Sequence, residues 1–348
     1  ASVVAGGLWV AATMGAVVLV TDVAALYVLG FATGLTFGIA TSMAASLLIN
    51  TWFEQKRGTV MGAVFATSGL GGIGAGLVMP ALVGYGGWQF GFAVTAGVIV
   101  VLVVLPGVFL IRSKPSDVGL LPYGVRPEPV VPGADTDAVS GDLPGVPARI
   151  AFRTPQFAAL AAATVLIATV LAVQQHLAPL MVEHGVTLAV AGTLISLMAL
   201  ATVFSNVLVG TLNDRRGSLA AVLLALFCQA AAMVGFVLSV GFVPLAVSTT
   251  LFAFGAALPG VLIPMIVMLM FGLRDYAAIL GPAMAMLPAG IAIGTPLWGV
   301  AYDLTGSYTL ALIVGAALSL IAALLLAWAI RTAPALRSRV ERTLAEAR

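Results

Sequence analysis

The sequence predicts an all-α membrane protein of ten spans, grouped as a four-helix and a six-helix bundle, on three observations. The 348-residue chain is 61% hydrophobic and only 8% charged, with a mean hydropathy of +1.15. Apolar runs long enough to cross a bilayer follow one another almost end to end, and all fifteen Lys and Arg residues fall in alternate connections between them. A soluble domain carries roughly 25% charged residues, so this composition cannot build an aqueous surface. A hydrocarbon core about 30 Å thick takes about 20 helical residues to cross. The runs are continuously apolar rather than alternating over about ten residues, which indicates helices and not barrel strands.

In chain order, the first two runs cover residues 2 to 20 and 24 to 50, with Asp22 in the turn between them. No basic segment precedes the first run, which argues against a cleaved signal peptide and reads as an internal start. Lys56 and Arg57 follow, ahead of runs at 59 to 84 and 88 to 111. Arg112, Lys114, Arg126, Arg149 and Arg153 then bracket a polar stretch rich in Pro, Gly and Asp, including Pro127, Pro129, Pro132, Asp135, Asp137 and Asp142. Such a stretch cannot bury enough apolar area to order itself and reads as a linker, residues 113–154, between an N-terminal bundle (1–112) and a C-terminal one (155–330). The second bundle has runs at 155 to 182, 187 to 211, 218 to 241, 243 to 272, 277 to 301 and 308 to 330.

Arg215, Arg216, Arg274 and the five arginines after Ala329 complete the basic side, whereas the opposite connections hold only the acids Asp22, Glu183 and Asp303. By the positive-inside rule the basic connections and both ends of the chain face the cytoplasm of a cell membrane. The tail, 331–348, places Leu336, Val340 and Leu344 at i, i+4 spacing among arginines, the pattern of a short helix on the anionic inner leaflet or of a solvated helix. Trp88, Trp298 and Trp328 sit toward span ends, as interface anchors do, while Trp9 reads as helix packing. The single Cys228 excludes an intrachain disulfide and a thiolate metal cluster.

One offset relates two hairpins. Gly62 and Gly281, Gly87 and Gly306, and Arg112 and Arg331 are each 219 residues apart, and the layout between them is shared: inner loop, Gly-rich span, short turn with Gly, apolar span, inner Arg. The chain reads as two related halves in parallel orientation.

The residues able to carry chemistry are few. Gly210-Thr211-Leu212-Asn213-Asp214-Arg215-Arg216-Gly217 joins the sixth and seventh runs. Its glycines permit a tight turn and close helix approach, and Asp214 can accept charge-assisted bonds from arginines or from a helix N-terminus, a contact able to latch one conformer. This loop resembles the cytoplasmic signature of the major facilitator superfamily. Trp52-Phe53-Glu54-Gln55-Lys56-Arg57-Gly58, Asp117-Val118-Gly119-Leu120-Leu121-Pro122-Tyr123-Gly124 and Tyr302-Asp303-Leu304-Thr305-Gly306-Ser307-Tyr308 are similar to segments of its monocarboxylate and oxalate/formate porter branch. The resemblance implies twelve helices in two six-helix bundles, so that two helices would precede Ala1, together with a central substrate cavity and rocking-bundle alternating access. On that reading Lys56, Arg57, Gly210, Asp214, Arg215 and Gly217 form the conformational latch.

Gln174, Gln175 and His176 lie about six residues inside the fifth run, roughly 9 Å by helical rise. Tyrosines and Cys228 aside, His176 is the one titratable side chain clearly within a run. An ionisable group there marks a pathway or bonds a neighbouring helix, and an imidazole can hold a proton or an anionic solute near neutral pH. In the sixth run, carboxylate-carrying relatives often place an arginine four residues before the glycine that opens the loop signature. This chain has Asn206 there, and an amide cannot form the bidentate ion pair that fixes a carboxylate. Asn206, Ser205 and Thr202 are cavity candidates, with interhelical hydrogen bonding the equal alternative. Gly69, Gly71, Gly72, Gly74, Gly76 and Pro80 in the third run, and Pro288, Gly290, Gly294 and Pro296 in the ninth, suit close packing or a hinge.

No phosphate-binding glycine loop, metalloprotease helix or nucleophile elbow is present in the sequence, so no enzyme and no cofactor is expected. The expected partners are a small-molecule solute, protons or another coupling ion, and the lipid bilayer, with no nucleic acid, and the chain is read as a monomer. The function expected is secondary active transport of a small organic solute, by the branch resemblance a monocarboxylate-like organic acid. The absence of a buried arginine argues for a neutral or weakly polar one. The alternative is a non-transporting membrane sensor or an inactive remnant of a transporter.

Overall fold

The computed structural model describes residues 2–20, 22–38, 44–109, 111–112, 114–124 and 145–346. Among the described residues every apolar run of the sequence is mainly helix. In chain order these are α1 (Ser2–Ala16), α2 (Val23–Gly38), α3 (Ala44–Trp52), α4 (Arg57–Ile99), α5 (Leu105–Phe109), the short α6 (Ala148–Ala151), α7 (Pro155–Leu171), α8 (Leu177–Glu183), α9 (Leu188–Arg216), α10 (Ser218–Leu238), α11 (Phe242–Ala257), α12 (Ile263–Phe271), α13 (Tyr276–Thr305) and α14 (Thr309–Glu346). Among the described residues seven helical segments are long and apolar enough to cross a membrane, six of them after residue 150, and Val3–Leu19 and Val23–Gly34 are shorter apolar helices. Large apolar side chains such as Phe204, Val243 and Leu324 face outward, a surface that hydrocarbon covers at no cost.

Several runs that look continuous in hydropathy are broken in backbone. Gly86 and Gly87 leave helical geometry inside α4, Gly87 with φ +77°, and Gly306 between α13 and α14 has φ +70°. The two glycines paired by the 219-residue offset therefore share a positive φ, which glycine adopts without strain, while differing in ψ, 176° at Gly87 and 10° at Gly306. A 3-10 segment, Ala172–His176, separates α7 from α8. Pro179 accounts for it, since a proline ring removes the bond to the carbonyl four residues earlier, here Gln175. A π segment, Leu258–Leu262, separates α11 from α12 around Pro259. α14, by contrast, continues through Pro334 to Glu346 without interruption, so the arginine-rich tail extends the last span rather than forming a helix of its own. Residues 125–144, which hold the proline- and aspartate-rich part of the linker, lie outside the described residues, as does the side chain of Leu344.

The chain divides into two compact units, 1–55 with 71–124, and 56–70 with 125–348. In the first, Trp9 Nε1 donates to the Ala32 carbonyl at 2.9 Å and Thr33 Oγ1 to Thr13 Oγ1 at 2.9 Å, tying α1 to α2. The segment after α5 folds back on the end of α3: the Tyr123 N–H donates to the Trp52 carbonyl at 2.8 Å, the Glu54 N–H to the Tyr123 carbonyl at 2.9 Å, and Trp52 Nε1 to the Arg112 carbonyl at 3.1 Å. Two of the family-like motifs, 52–58 and 117–124, thus meet.

The second unit holds a seam between α7 and α13 built on small residues. A Cβ at Gly290 or Gly294 would strike the backbone of Val165 or Thr169, so the α13 backbone lies directly against α7. Thr169 Oγ1 donates to the Gly290 carbonyl at 3.2 Å, and Trp298 Nε1 to the Thr169 carbonyl at 2.9 Å. Trp298 is only 4% exposed. The sequence places it with the interface anchors by its distance from the span end; instead it turns inward, because the glycine-lined seam leaves room for an indole over Gly315 of α14. Trp88 and Trp328 remain outward, 40% and 45% exposed.

Candidate functional site

The start of α4 belongs with the second unit because Gly58, Gly62 and Gly69 bring its backbone onto α9. A Cβ at Gly62 would collide with the Asn206 carbonyl, one at Gly69 with the Ala199 carbonyl, and one at Gly210 with the Gly58 carbonyl. Four glycines on two helices hold this approach open, as small residues do where membrane helices touch.

The first turn of α4 has a donor deficit. The Val60 N–H donates to the Lys56 carbonyl at 3.0 Å, which makes Lys56 the residue preceding the helix. That position normally supplies a side-chain oxygen to the N–H groups two and three residues on. A lysine has no acceptor, and Lys56 sits in a left-handed conformation with φ +57°. Asp214, at the far end of α9, fills the vacancy. Its Oδ1 accepts the Gly58 N–H at 2.8 Å, and its Oδ2 accepts the Thr59 N–H at 2.6 Å and the Thr59 hydroxyl at 2.7 Å. A carboxylate on two N-terminal amides gains from charge assistance and from the helix dipole together. The neighbouring Asn213 is engaged as well: its Oδ1 accepts the Ser218 hydroxyl at 2.8 Å, and its carbonyl accepts the N–H of Gly217, which turns the chain with φ +83°. Arg215 and Arg216 point to solvent. Arg57 reaches the Met268 sulfur at 3.5 Å.

Two to three turns deeper, the polar residues of α9 separate into two kinds. Thr202 bonds only its own helix, at the Met198 carbonyl. Ser205 and Asn206 are 1% and 2% exposed; Ser205 Oγ donates to the Ala253 carbonyl of α11 at 2.9 Å, and Asn206 Nδ2 to the Phe65 carbonyl of α4 at 3.1 Å. Asn206 Oδ1 is buried with no partner among the described residues. An unpaired buried acceptor costs about 1 to 3 kcal/mol in protein mutational terms.

At the opposite end of the unit lies His176, the last residue of the 3-10 break. Its Nε2 lies 3.1 Å from the Thr295 carbonyl and its Nδ1 3.2 Å from the Tyr308 hydroxyl. A carbonyl can only accept, so Nε2 carries hydrogen and the neutral ring accepts from Tyr308 at Nδ1. Gln174 and Gln175 stand exposed beside it. Tyr308 is buried, and burial first, then the charges of Tyr302, Glu183 and Asp303, raise its phenol above the ordinary range. Glu183 fastens the same turn, accepting the Ser307 hydroxyl at 2.5 Å and the Tyr308 N–H at 3.3 Å. The helix ends of α8, α13 and α14 are thus joined through one imidazole, one phenol and one carboxylate. Sequence reasoning reaches His176 but not Tyr308 or Glu183 as its companions; the signal available was Pro179, which ends the helix beside it.

A profile described as the Major Facilitator Superfamily matches the chain over residues 2–281 and again over 177–346. No curated protein matches it. Among solved structures, the E. coli fucose:proton symporter FucP is similar at 16% identity and a TM-score of 0.65, over 94% of this chain and 83% of that one. A structure of FucP in the outward conformation gives 16%, 0.63, 94% and 82% for the same four quantities. The human organic anion transporter MFSD10 (TETRAN) gives 15% and 0.63, over 93% of this chain and 76% of that one. At these identities the likeness is one of fold.

Proposed function

The chain belongs to the major facilitator superfamily, and from that premise we propose that it is a secondary transporter moving a small organic solute by alternating access. The observation that carries this reading is the cap that Asp214 supplies to a helix other than its own. The cap comes from a helix end some 155 residues away in sequence, so in this reading it forms and breaks as the two helices approach and part. Lys56, Arg57, Gly210, Asp214, Arg215 and Gly217 make up this latch, on the cytoplasmic side by the distribution of basic residues.

Gln174, Gln175, His176, Thr202, Ser205 and Asn206 line the solute path in this reading. The lone acceptor of Asn206 suits a hydroxyl or amine donor on a neutral solute. A monocarboxylate-like acid is accommodated when His176 is protonated, since the imidazolium then supplies the positive charge that Asn206 lacks. No nucleotide-binding motif is present in the sequence, so the driving force is an ion gradient, with His176 as the proton-binding group. Two of the similar structures carry named activities, fucose:proton symport for FucP and organic anion transport for MFSD10, and these bracket the two solute classes.

The test is counterflow in proteoliposomes loaded with unlabelled solute, run with sugars, polyols and monocarboxylates with and without a proton gradient. Saturable trans-stimulated uptake of one class is the expected result. Folded, reconstituted protein that exchanges no member of the panel would remove the proposal.

A further inference from the structure

One pocket of the second unit plays no part in the transport reading. About 510 Å³ in volume, it lies between the turn that enters α7 and the last third of α14. Ile150, Leu336 and Val340 form its apolar wall, and Arg153, Arg339, Gln156 and Thr332 its polar one. Its depth in the bilayer follows from helix length. Thr332 lies twenty-three residues beyond Thr309, where α14 begins, or about 35 Å of rise, which passes a hydrocarbon core about 30 Å thick and enters the headgroup layer. Trp328, one turn earlier, is 45% exposed, at the level where indoles settle.

Two features of the pocket specify a ligand. Arg153, in the turn before α7, and Arg339 of α14 line it beside the N-terminus of the seventeen-residue α7, where positive charge and helix dipole act in the same sense. Gln156 is nine-tenths buried, and its Nε2 donates to Thr332 Oγ1 at 3.3 Å. The Thr332 hydroxyl is already directed at the carbonyls of Trp328 and Ala329, so it receives the amide N–H and fixes which way the amide points. Gln156 Oε1 is thereby left buried without a partner among the described residues. The pocket offers positive charge at its mouth, one orphaned acceptor inside and an apolar flank. We propose that it seats the headgroup of an anionic phospholipid carrying its own hydroxyl donors, the chemistry of phosphatidylglycerol, with the phosphate at Arg153 and Arg339, a headgroup hydroxyl on Gln156 Oε1 and an acyl chain along Leu336 and Val340.

Native mass spectrometry of the full chain released from nanodiscs of equal phosphatidylglycerol and phosphatidylcholine reads this directly. One phosphatidylglycerol retained per chain in preference to phosphatidylcholine is expected. Arg153→Gln with Arg339→Gln lowers that preference about thirtyfold, at about 1 kcal/mol for each cation near an anionic surface. Gln156→Leu leaves binding of anionic lipid in place but erases the preference for phosphatidylglycerol over phosphatidic acid, which lacks the hydroxyls. Both arginines are exposed, and the melting temperature of the double variant in lipid-free detergent shows whether it folds; if it does not fold, the Gln156→Leu comparison decides alone. Equal retention of both lipids by the unaltered chain, undiminished preference in the folded double variant, or unchanged discrimination in Gln156→Leu would each overturn the proposal. Displacement of the lipid by millimolar glycerol 3-phosphate would make the ligand a soluble anion and overturn it as well.

Discussion

Two glycine-lined seams in the second unit look alike in sequence and differ in how they are finished. Where α13 meets α7, Gly290 and Gly294 bring the backbones together, and the bonds across the seam, from Thr169 Oγ1 and Trp298 Nε1, are part-buried and end on carbonyls. Where α4 meets α9, Gly58, Gly62, Gly69 and Gly210 do the same, but the seam ends on an exposed carboxylate that holds the first amides of α4, the Gly58 bond part-buried and the Thr59 bond exposed. Breaking the first strands donors in hydrocarbon; breaking the second returns Asp214 and two N–H groups to water, where each finds a new partner at little net cost. Small residues alone therefore do not distinguish a fixed joint from a releasable one. The group at the end of the seam does.

The strongest way to break this contrast is to overfill each seam in turn. Gly290→Val drives a side chain into the Val165 backbone and is expected to cost about 3 kcal/mol, the upper range for overpacking, read as a large fall in melting temperature and in recovered protein. Gly210→Val makes a collision at least as close, with the Gly58 carbonyl, yet should leave the melting temperature much closer to that of the unaltered chain while abolishing counterflow. If the two variants lose stability equally, the α4–α9 seam is as permanent as the other.

Removing the carboxylate sharpens the same point. Asp214→Ala is expected to cost the start of α4 about 1 kcal/mol, the value of a helix cap, or roughly a fivefold shift in conformer population. Hydrogen exchange at Gly58 and Thr59 should rise, and exchange flux should change with it. Asp214→Asn keeps an acceptor without the charge and should fall between. Exchange protection unchanged in Asp214→Ala would mean the cap is incidental.

The smallest effect concerns pH. Tyr308 has its phenol raised by burial, so the fold favours its protonated form; that stabilisation is whole below the unfolded phenol value of about 10 and is lost as pH climbs through the folded one. Tyr308 accordingly stays an O–H donor throughout the working range. His176→Gln and Tyr308→Phe each remove one partner of the bond between them and should change counterflow alike, while His184→Gln, outside that bond, leaves it in place. A loss of flux in His184→Gln as large as that in His176→Gln would move the functional group away from the Tyr308 contact.

Much of this was legible in the chain, and the remainder hid for identifiable reasons. Apolar length located the long helices among the described residues, because a bilayer imposes one minimum on a span, but not the four-residue α6, which falls in the stretch read as linker. Hydropathy is blind to hydrogen-bond register, so the 3-10 break before α8 and the π segment after α11 went unmarked even though Pro179 and Pro259 were there to signal them. The loop signature singled out Asp214 and offered arginines or a helix end as its partners; the geometry has the helix end, and nothing local to residues 210–217 names Gly58 and Thr59. Trp298 was read by distance along the span, whereas its environment is set by which side of α13 carries glycine.

The Asp214 contact is made entirely with main-chain amides and one hydroxyl. A surface written in amides carries no side-chain code, so drift at position 59 can keep the two N–H bonds, and residue pairs drawn from a family alignment would not couple 59 to 214. Selection would act instead through volume, holding positions 58, 62 and 210 at hydrogen-sized side chains while the charge that closes over them stays fixed.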